Sequence, residues 1–249
     1  MTASEIRQEA RKCLTGKWGK GALATLIFFV ISYIISFVLN LVPMVGSIAA
    51  SIISVPLSFG FTVVMMSKLK RNEDFSYLDF FKAGFDKFVK VWQTTLWIFV
   101  KMLAPIVIAI VGAIVMAIGI AMSVAGSSGS VLIILGIIVY LVGIIWAIPR
   151  AYSYRLALYI VNDNPNMLAK EAVEKSAEIM NGHRWEFFWL QCTFIGWAIL
   201  ACFTLGIGMF WLLPYMQVST VAFYDNLIGN KKDESNTDET VAETSNIIQ

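Results

Sequence analysis

The sequence predicts an all-α, polytopic membrane protein with six transmembrane helices, and composition, run length and charge placement each support this. Of the 249 residues, 58% are hydrophobic and 14% are charged, with a mean hydropathy of +0.72. Soluble domains average about 45–50% apolar and about 25% charged residues. Several apolar runs reach the length of about 20 residues that a helix needs to cross the hydrocarbon core. This composition excludes a soluble enzyme, a disordered regulator and a secreted disulfide scaffold.

The predicted spans pair into three hairpins, because very short uncharged connections join them two by two. They cover residues 21–41, 45–66, 101–122, 131–149, 185–203 and 207–226. Of the 19 Lys and Arg residues, all but Lys101 lie in the N-terminal segment, in 68–90, in 150–184 or in the tail. The positive-inside rule assigns those segments to the cytoplasm. We therefore expect a multi-pass protein of the cell membrane with both termini cytoplasmic.

A cytoplasmic amphipathic helix is predicted before each hairpin, at residues 4–15, 76–88 and 167–181. Ser76 and Asp79 have the spacing of a capping box, Asn166 is an N-cap candidate, and Gly182 suits a C-terminal cap. The three units are either true repeats or the product of convergent helix punctuation. Residues 1–228 then form one membrane domain, and residues 229–249 are expected to be a disordered, acidic cytoplasmic tail.

Lys101 leaves two interpretations open, because the apolar stretch from Val91 to Met122 is too long for one untilted span. Either a tilted helix carries Lys101 deep in the bilayer, or the span begins near Lys101 and the ammonium group reaches the interface. A lysine at the interface costs far less than one at the bilayer centre. The mixed character of residues 92–97 favours the interfacial interpretation.

We find no catalytic or cofactor-binding pattern in the sequence. A single histidine, His183, cannot form a multi-histidine metal site, and neither a P-loop nor a nucleophile elbow is present. Every Asp and Glu lies in a predicted cytoplasmic segment or at its edge, which argues against an ion-coupled transporter. We therefore expect a protein that is not an enzyme and has no cofactor.

A small set of polar and basic residues at or near the predicted spans forms the candidate functional residues. For the polar ones, hydrogen bonding between helices is the alternative role, and for the basic ones a position at the lipid headgroups. Small residues at regular spacing, including Gly112 and Gly136, predict close helix packing. A row of serines from Ser47 to Ser58 either packs in the same way or lines a polar path. The candidate functional residues are Lys101, Arg150, His183, Arg184, Gln217, Thr220 and Tyr224.

Two functions fit this layout. The first is a non-enzymatic protein that organises lipids or partner proteins at the cytoplasmic membrane face through its three amphipathic helices. The second is a transport component whose helix at 166–181 docks a separate ATPase. Anionic headgroups are the expected lipid partner, since each basic residue near the membrane surface contributes about 1 kcal/mol of attraction. Nucleic-acid binding is not expected, because the basic residues are mixed with acids.

The C-terminal half resembles a known family of unknown activity. The residues that carry the resemblance are Asp163-Asn164-Pro165, Met180-Asn181-Gly182-His183, Phe194-Ile195-Gly196-Trp197, Thr204-Leu205-Gly206-Ile207-Gly208 and Trp211-Leu212-Leu213-Pro214-Tyr215. They are similar to an uncharacterised integral membrane family, domain of unknown function 975, found mainly in Gram-positive bacteria. The resemblance implies a multi-pass plasma-membrane protein and supplies no activity, ligand or catalytic residue.

Overall fold

The computed structural model describes the backbone of residues 2–42 and 45–247 and the side chains of residues 2–42 and 45–229. Within these residues every regular element is helical, which confirms the predicted all-α class. In chain order the elements are α1 (Ala3–Leu14), α2 (Trp18–Asn40), α3 (Val45–Phe59), a π-helical segment (Gly60–Met65), α4 (Met66–Lys70), α5 (Asp79–Asp86), α6 (Phe88–Val124), α7 (Ser130–Ser153), α8 (Ala157–Asp163), α9 (Ala169–Ile179), α10 (Arg184–Phe203) and α11 (Met209–Ile247).

Five helical stretches of the described chain are long and apolar enough to cross a membrane. They are Trp18–Asn40, Val45–Lys70, Phe88–Val124, Ser130–Asp163 and Arg184–Phe203. The sixth predicted span, 207–226, is not among them. Polar residues such as Gln217, Ser219 and Asp225 lower its hydropathy.

The chain divides into two compact units, and unit 1 contains Met1–Trp92, Leu158–Pro165 and Trp185–Gln249. Its core surrounds α11, which packs against α1, α2 and α4. From Val218 to Tyr224 every side chain of α11 is buried. The hydroxyls of Ser219 and Thr220 donate to carbonyls one turn earlier in the same helix. Because other helices pack around this stretch, it needs less apolar character than a helix that faces lipid.

The α5 helix packs tightly against α3 and the π-helical segment that follows it. A Cβ atom added to Gly60 would lie 1.9 Å from the carbonyl oxygen of Phe80, and one added to Gly84 would lie 2.2 Å from that of Pro56. Only glycine permits so close an approach of two backbones. The π-helical segment comes directly after the turn that contains Pro56, whose missing N–H interrupts the regular hydrogen-bond ladder.

Unit 2 contains Gln93–Ala157 and Asn166–Arg184. In it, α6 and α7 approach through the small residues that the sequence marks as a packing seam, which confirms that prediction. A Cβ atom added to Gly136 would lie 2.4 Å from the backbone nitrogen of Met116, and one added to Gly143 would lie 2.6 Å from that of Ala109. Close packing of this kind is a main source of helix association in lipid.

The short helices α5 and α9 lie within the ranges predicted to be amphipathic helices, and α1 matches its range to within one residue. Each buries part of its apolar side against the protein, although Phe81 of α5 is 43% exposed. The buried residues of these helices are Ile6, Ala10 and Leu14 of α1, Phe80 and Gly84 of α5, and Ala169, Ala172, Val173, Ser176 and Ile179 of α9. The Ser176 hydroxyl donates to the carbonyl of Ser153 on α7 at 2.8 Å. The apolar sides of α1 and α9 are therefore already occupied within their own units.

The caps at the ends of these helices agree only in part with those predicted from the sequence. Gly16 and Gly182 both adopt positive φ, at 77° and 85°, just after α1 and α9, as the prediction for Gly182 requires. The N-cap prediction for Asn166 was wrong, since the cap of α9 is Leu168, whose backbone N–H donates to Glu171 at 3.3 Å. The predicted acidic tail, residues 229–249, lies almost entirely outside the residues whose side chains are described, and its disorder stays a prediction.

Candidate functional site

An open apolar groove of about 360 Å³ runs along unit 1 between the start of α2 and the α10–α11 hairpin. We call it the tryptophan groove. Its lining residues are Arg11, Trp18, Trp197, Leu200, Ala201, Thr204, Gly208, Trp211, Leu212 and Tyr215. A groove of this volume with mostly apolar walls and a few placed polar groups is typical of small-molecule sites.

Tyr215 fixes the polar end of the tryptophan groove. Its ring contacts Trp18 edge-on, with centroids 5.8 Å apart, and Phe194 at 5.1 Å. Its hydroxyl accepts a hydrogen bond from Nε of Arg11 at 3.1 Å and donates to the carbonyl of Arg7 at 3.4 Å. The guanidinium of Arg11 is thereby held at the groove, and its outer nitrogens form no hydrogen bond with another described residue. An arginine of this kind binds phosphate through two parallel hydrogen bonds.

A second polar feature of unit 1 is a network of five charged side chains, which we call the charge node. Its members are Glu9, Lys70, Arg71, Asp163 and Asp225. Arg71 donates to both oxygens of Asp163, at 3.3 and 2.9 Å, and to Asp225 at 2.9 Å. Lys70 lies 3.0 Å from Glu9 and 3.1 Å from Asp225. The node therefore joins α1, α8 and α11 to the end of α4.

The charge node is an internal connection and not a free cationic surface. Hydrogen bonds to Asp163 raise the pKa of the Arg71 guanidinium further above its ordinary value, so Arg71 stays charged at every accessible pH. Nearby, Lys68 pairs with Asp79 at 3.0 Å. Lys68, Lys70 and Arg71, which follow one another closely after an apolar run, are thus all paired with carboxylates.

Four of the seven candidate functional residues belong to unit 2. Lys101 lies 3.7 Å from Glu174, and both side chains are about half exposed. Arg150 donates to the carbonyl of Lys101 at 3.2 Å and its guanidinium lies 4.3 Å from the ring centre of Trp146. His183 is half-buried in the turn after α9 and donates its backbone N–H to Met180. Nε of Arg184 is buried without a partner in the described part of the chain.

The other three candidates lie on α11 in unit 1. Thr220 is buried and its hydroxyl donates to the carbonyl of Met216 at 3.0 Å, one turn earlier in the same helix. Tyr224 is buried against Tyr159, with ring centroids 5.6 Å apart. Gln217 is half-buried, and its Oε1 has no partner among the described residues. Thr220 therefore contributes to packing in the core, whereas the Tyr224 hydroxyl also hydrogen-bonds to Asp163 of the charge node.

The serine row on α3 lies on the surface of unit 1. All four serines, Ser47, Ser51, Ser54 and Ser58, are exposed. The hydroxyls of Ser51 and Ser54 donate to carbonyls of their own helix, both at 2.9 Å. The row lines no described cavity, so a polar path along it gains no support.

Sequence reasoning did not identify the tryptophan groove or the charge node. Asp163 and Asp225 each end an apolar stretch, and such isolated acids beside basic flanks are a signal for ion pairing that was available. The groove had no such signal, because Arg11 and Trp211 are separated by 200 residues in the chain. Among the described residues no group of three His, Cys, Asp or Glu side chains is placed to hold a metal ion.

Comparison with models of known families shows to which family this sequence belongs. Residues 1–231 match the family described as "Protein of unknown function (DUF975)". The chain belongs to the DUF975 family. The part that matches DUF975 includes every residue of the tryptophan groove and of the charge node. Searches of curated proteins and of solved structures found no match, so the DUF975 assignment brings no activity or ligand with it.

Proposed function

We propose that this chain is a non-enzymatic, multi-pass protein of the cytoplasmic membrane that binds an anionic phospholipid in the tryptophan groove. The observation that carries the proposal is the placement of Arg11 and Tyr215 at one end of an apolar groove lined by three tryptophans. With both termini cytoplasmic, Arg11 lies at the inner headgroup level. A phosphate then contacts the Arg11 guanidinium, and an acyl chain lies along Trp18, Trp197 and Trp211.

Exposure of the groove supports a lipid more than a soluble ligand. Trp197 and Trp211 are 53% and 47% exposed, and Leu200 is 55% exposed. Three such side chains facing water would form an unfavourable apolar patch, whereas lipid covers them at no cost. Tryptophan is also typical of membrane interfaces, where its apolar ring and polar N–H suit both environments.

Burial of the apolar sides of α1 and α9 changes the first hypothesis, in which the amphipathic helices themselves bind lipids or partner proteins. A lipid or partner protein cannot use Ile6, Ala10 and Leu14 of α1, because these are at most 2% exposed. The apolar side of α9 is also buried, so an ATPase that docks on α9 would contact only its charged side. The transport alternative stays a prediction, and no described contact favours it.

The test measures binding of phosphatidylglycerol and phosphatidylcholine by native mass spectrometry of the protein in detergent. Detergent removes the membrane surface potential, so only specific binding is counted. We expect phosphatidylglycerol to bind the wild type more tightly than phosphatidylcholine, and Arg11→Gln to weaken it about tenfold, since a hydrogen bond to a charged group contributes about 1.5–3 kcal/mol. Lys12→Gln, which removes a neighbouring exposed charge, is the matched control. Equal loss in both variants, or no preference for the anionic lipid, would refute the proposal.

A further inference from the structure

The depth of the α10–α11 hairpin can be measured against α2, because two contacts fix their register. A Cβ atom added to Gly21 would lie 3.2 Å from Cβ of Pro214. Further along, the rings of Phe29 and Phe210 meet edge-on with centroids 6.1 Å apart. The start of α11 therefore lies beside the first half of α2.

Beyond this point α2 continues and the hairpin does not. At 1.5 Å per residue, α2 runs about 16 Å past Phe29 to its end at Asn40. By contrast, α11 begins at Met209, one residue from Phe210. The turn that joins α10 to α11, which we call the hairpin tip and define as residues 203–209, thus ends well short of the outer end of α2.

The pattern of buried residues along α2 also shows how far the hairpin extends beside it. The buried residues of α2 are Gly21, Ala22, Ala24 and Thr25, all in its first third. Further along, Tyr33, Ile34 and Phe37 are 71%, 52% and 58% exposed. The hairpin covers the beginning of α2 and leaves its outer half uncovered.

Although α10 has 20 residues, the hairpin tip does not reach the outer end of α2, because much of α10 lies beside the buried part of α11. The rings of Phe187 and Phe223 lie 5.1 Å apart, and those of Phe194 and Tyr215 also 5.1 Å apart. Pro214 is already level with Gly21, at the start of α2. Tyr215 also meets Trp18, the first residue of α2. Only the second half of α10, about 14 Å from Phe194 to Phe203, therefore extends beyond the level at which α2 begins.

The hairpin tip satisfies its backbone donors internally, as a segment in hydrocarbon must. Every N–H from Thr204 to Leu212 donates to an oxygen within the hairpin. Thr204 closes the turn with its side chain, which donates to Ala201 at 2.7 Å and accepts from Gly208 at 2.9 Å. Leu205 and Gly206 adopt positive φ, at 53° and 84°, which lets the chain reverse in so few residues.

The surface of the hairpin tip is apolar. Phe203, Leu205 and Ile207 are 82%, 94% and 59% exposed, and no charged residue lies between Glu186 and Asp225. The connection between α6 and α7, in contrast, exposes Ser127, Ser128 and Ser130. The two connections therefore suit different surroundings.

We infer that the α10–α11 hairpin is re-entrant: it enters from the cytoplasmic side, and its tip ends inside the hydrocarbon core against acyl chains. From Gly21 to Asn40, α2 rises about 28 Å, close to the thickness of about 30 Å of a hydrocarbon core. On that scale the tip reaches about half-way. The inference replaces fifth and sixth complete spans with one half-depth hairpin, and it does not depend on lipid binding in the tryptophan groove.

The test places a single spin label at three positions in a variant that lacks the native Cys13, Cys192 and Cys202. The positions are Leu205→Cys in the hairpin tip, Ser128→Cys in the α6–α7 connection, and Tyr33→Cys as a depth standard on α2. All three side chains are exposed, so each label replaces no core contact. In proteoliposomes of phosphatidylglycerol and phosphatidylcholine, collisions with oxygen report hydrocarbon, and collisions with a water-soluble nickel chelate report water.

We expect the label in the hairpin tip to be oxygen-accessible, several-fold less nickel-accessible than the label at Ser128→Cys, and within about 5 Å of the depth at Tyr33→Cys. An impermeant maleimide should label Ser128→Cys from one side of the membrane and Leu205→Cys from neither side. Nickel accessibility at Leu205→Cys equal to that at Ser128→Cys would overturn the inference. Low accessibility to both reagents would also overturn it, because protein and not acyl chains would then surround the tip.

Discussion

Replacing Arg71 by glutamine should destabilise unit 1 more than any exposed charge change on the same face. The wild-type guanidinium makes three hydrogen bonds to two carboxylates on separate helices. The glutamine side chain of the Arg71→Gln variant carries no charge and cannot reproduce the two parallel bonds to Asp163. Asp163 and Asp225 would then lose the positive charge that bridges them, while Lys70 still contacts Asp225 and Lys87 still attracts Asp163.

The expected loss lies between that of a surface ion pair and that of a buried one. Exposed pairs contribute about 0.2–1 kcal/mol, and removing one member of a buried pair costs about 3–5 kcal/mol. The side chains of Arg71, Asp163 and Asp225 are 34%, 27% and 24% exposed. We therefore expect a loss of about 2 kcal/mol, which for a chain of this size lowers the thermal midpoint by about 4–8 °C.

The assay is thermal unfolding of the purified protein in detergent at low and high salt. Lys12→Gln is the control, because it removes one exposed positive charge from α1. Arg71→Lys should fall between wild type and Arg71→Gln, since a lysine restores the charge without the bidentate geometry. The difference between wild type and Arg71→Gln should narrow in high salt, because screening weakens partly exposed pairs. A midpoint for Arg71→Gln no lower than that of Lys12→Gln would refute the reasoning.

Two further changes test local parts of unit 1. The hydrogen bond from Lys68 lowers the pKa of Asp79; stability from this pair is therefore complete above the ordinary carboxyl pKa of about 3.9 and is lost as the pH falls through the lowered value. Asp79→Asn should remove that acid-side loss from the thermal midpoint measured between pH 7 and pH 3, and an unchanged profile would count against the pair. Gly60→Ala should destabilise by about 2 kcal/mol or more, because the new Cβ meets the carbonyl of Phe80 at 1.9 Å. Gly19→Ala, which meets nothing within 4 Å, should leave the midpoint unchanged or slightly higher; equal effects of the two alanines would contradict the packing.

Local periodicity was sufficient to find most helices. The end of α2 at Asn40 and the start of α3 at Val45 follow from apolar run length, and the turn at Gly182 follows from the need for positive φ. Both depend on a few neighbouring residues, whereas the end of α3 at Phe59 and the π-helical segment after it were not predicted. The close approach of α6 and α7 was also predictable, since small residues at i, i+4 spacing allow the backbones of two helices to come into contact. The N-cap of α9 was not, because Leu168 is capped through the side chain of Glu171 and not through its own.

The candidate site was much less predictable, because its residues come from distant parts of the chain. Arg11 meets Tyr215, and Arg71 meets Asp163 and Asp225, through packing of helices that are far apart in sequence. Conversely, Thr220 and Tyr224 are candidates because they are polar residues in an apolar run. Both are buried in the core of unit 1, where Tyr224 also hydrogen-bonds to Asp163. A polar side chain in an apolar run can either bind a ligand or pack in the core, and its neighbours in the folded structure decide which of the two it does.

The sequence by itself determined that this chain is helical, that it has helices suited to a membrane, and which segments carry its charge. These properties depend on composition and on residues within one or two helical turns of each other. The tertiary structure alone decided that α11 is buried from Val218 to Tyr224, that Lys70 and Arg71 are paired with carboxylates, and that the hairpin tip stops beside the middle of α2. The reason is physical: hydropathy measures how well a helix tolerates lipid, whereas its depth and partners depend on the register in which it packs against other helices.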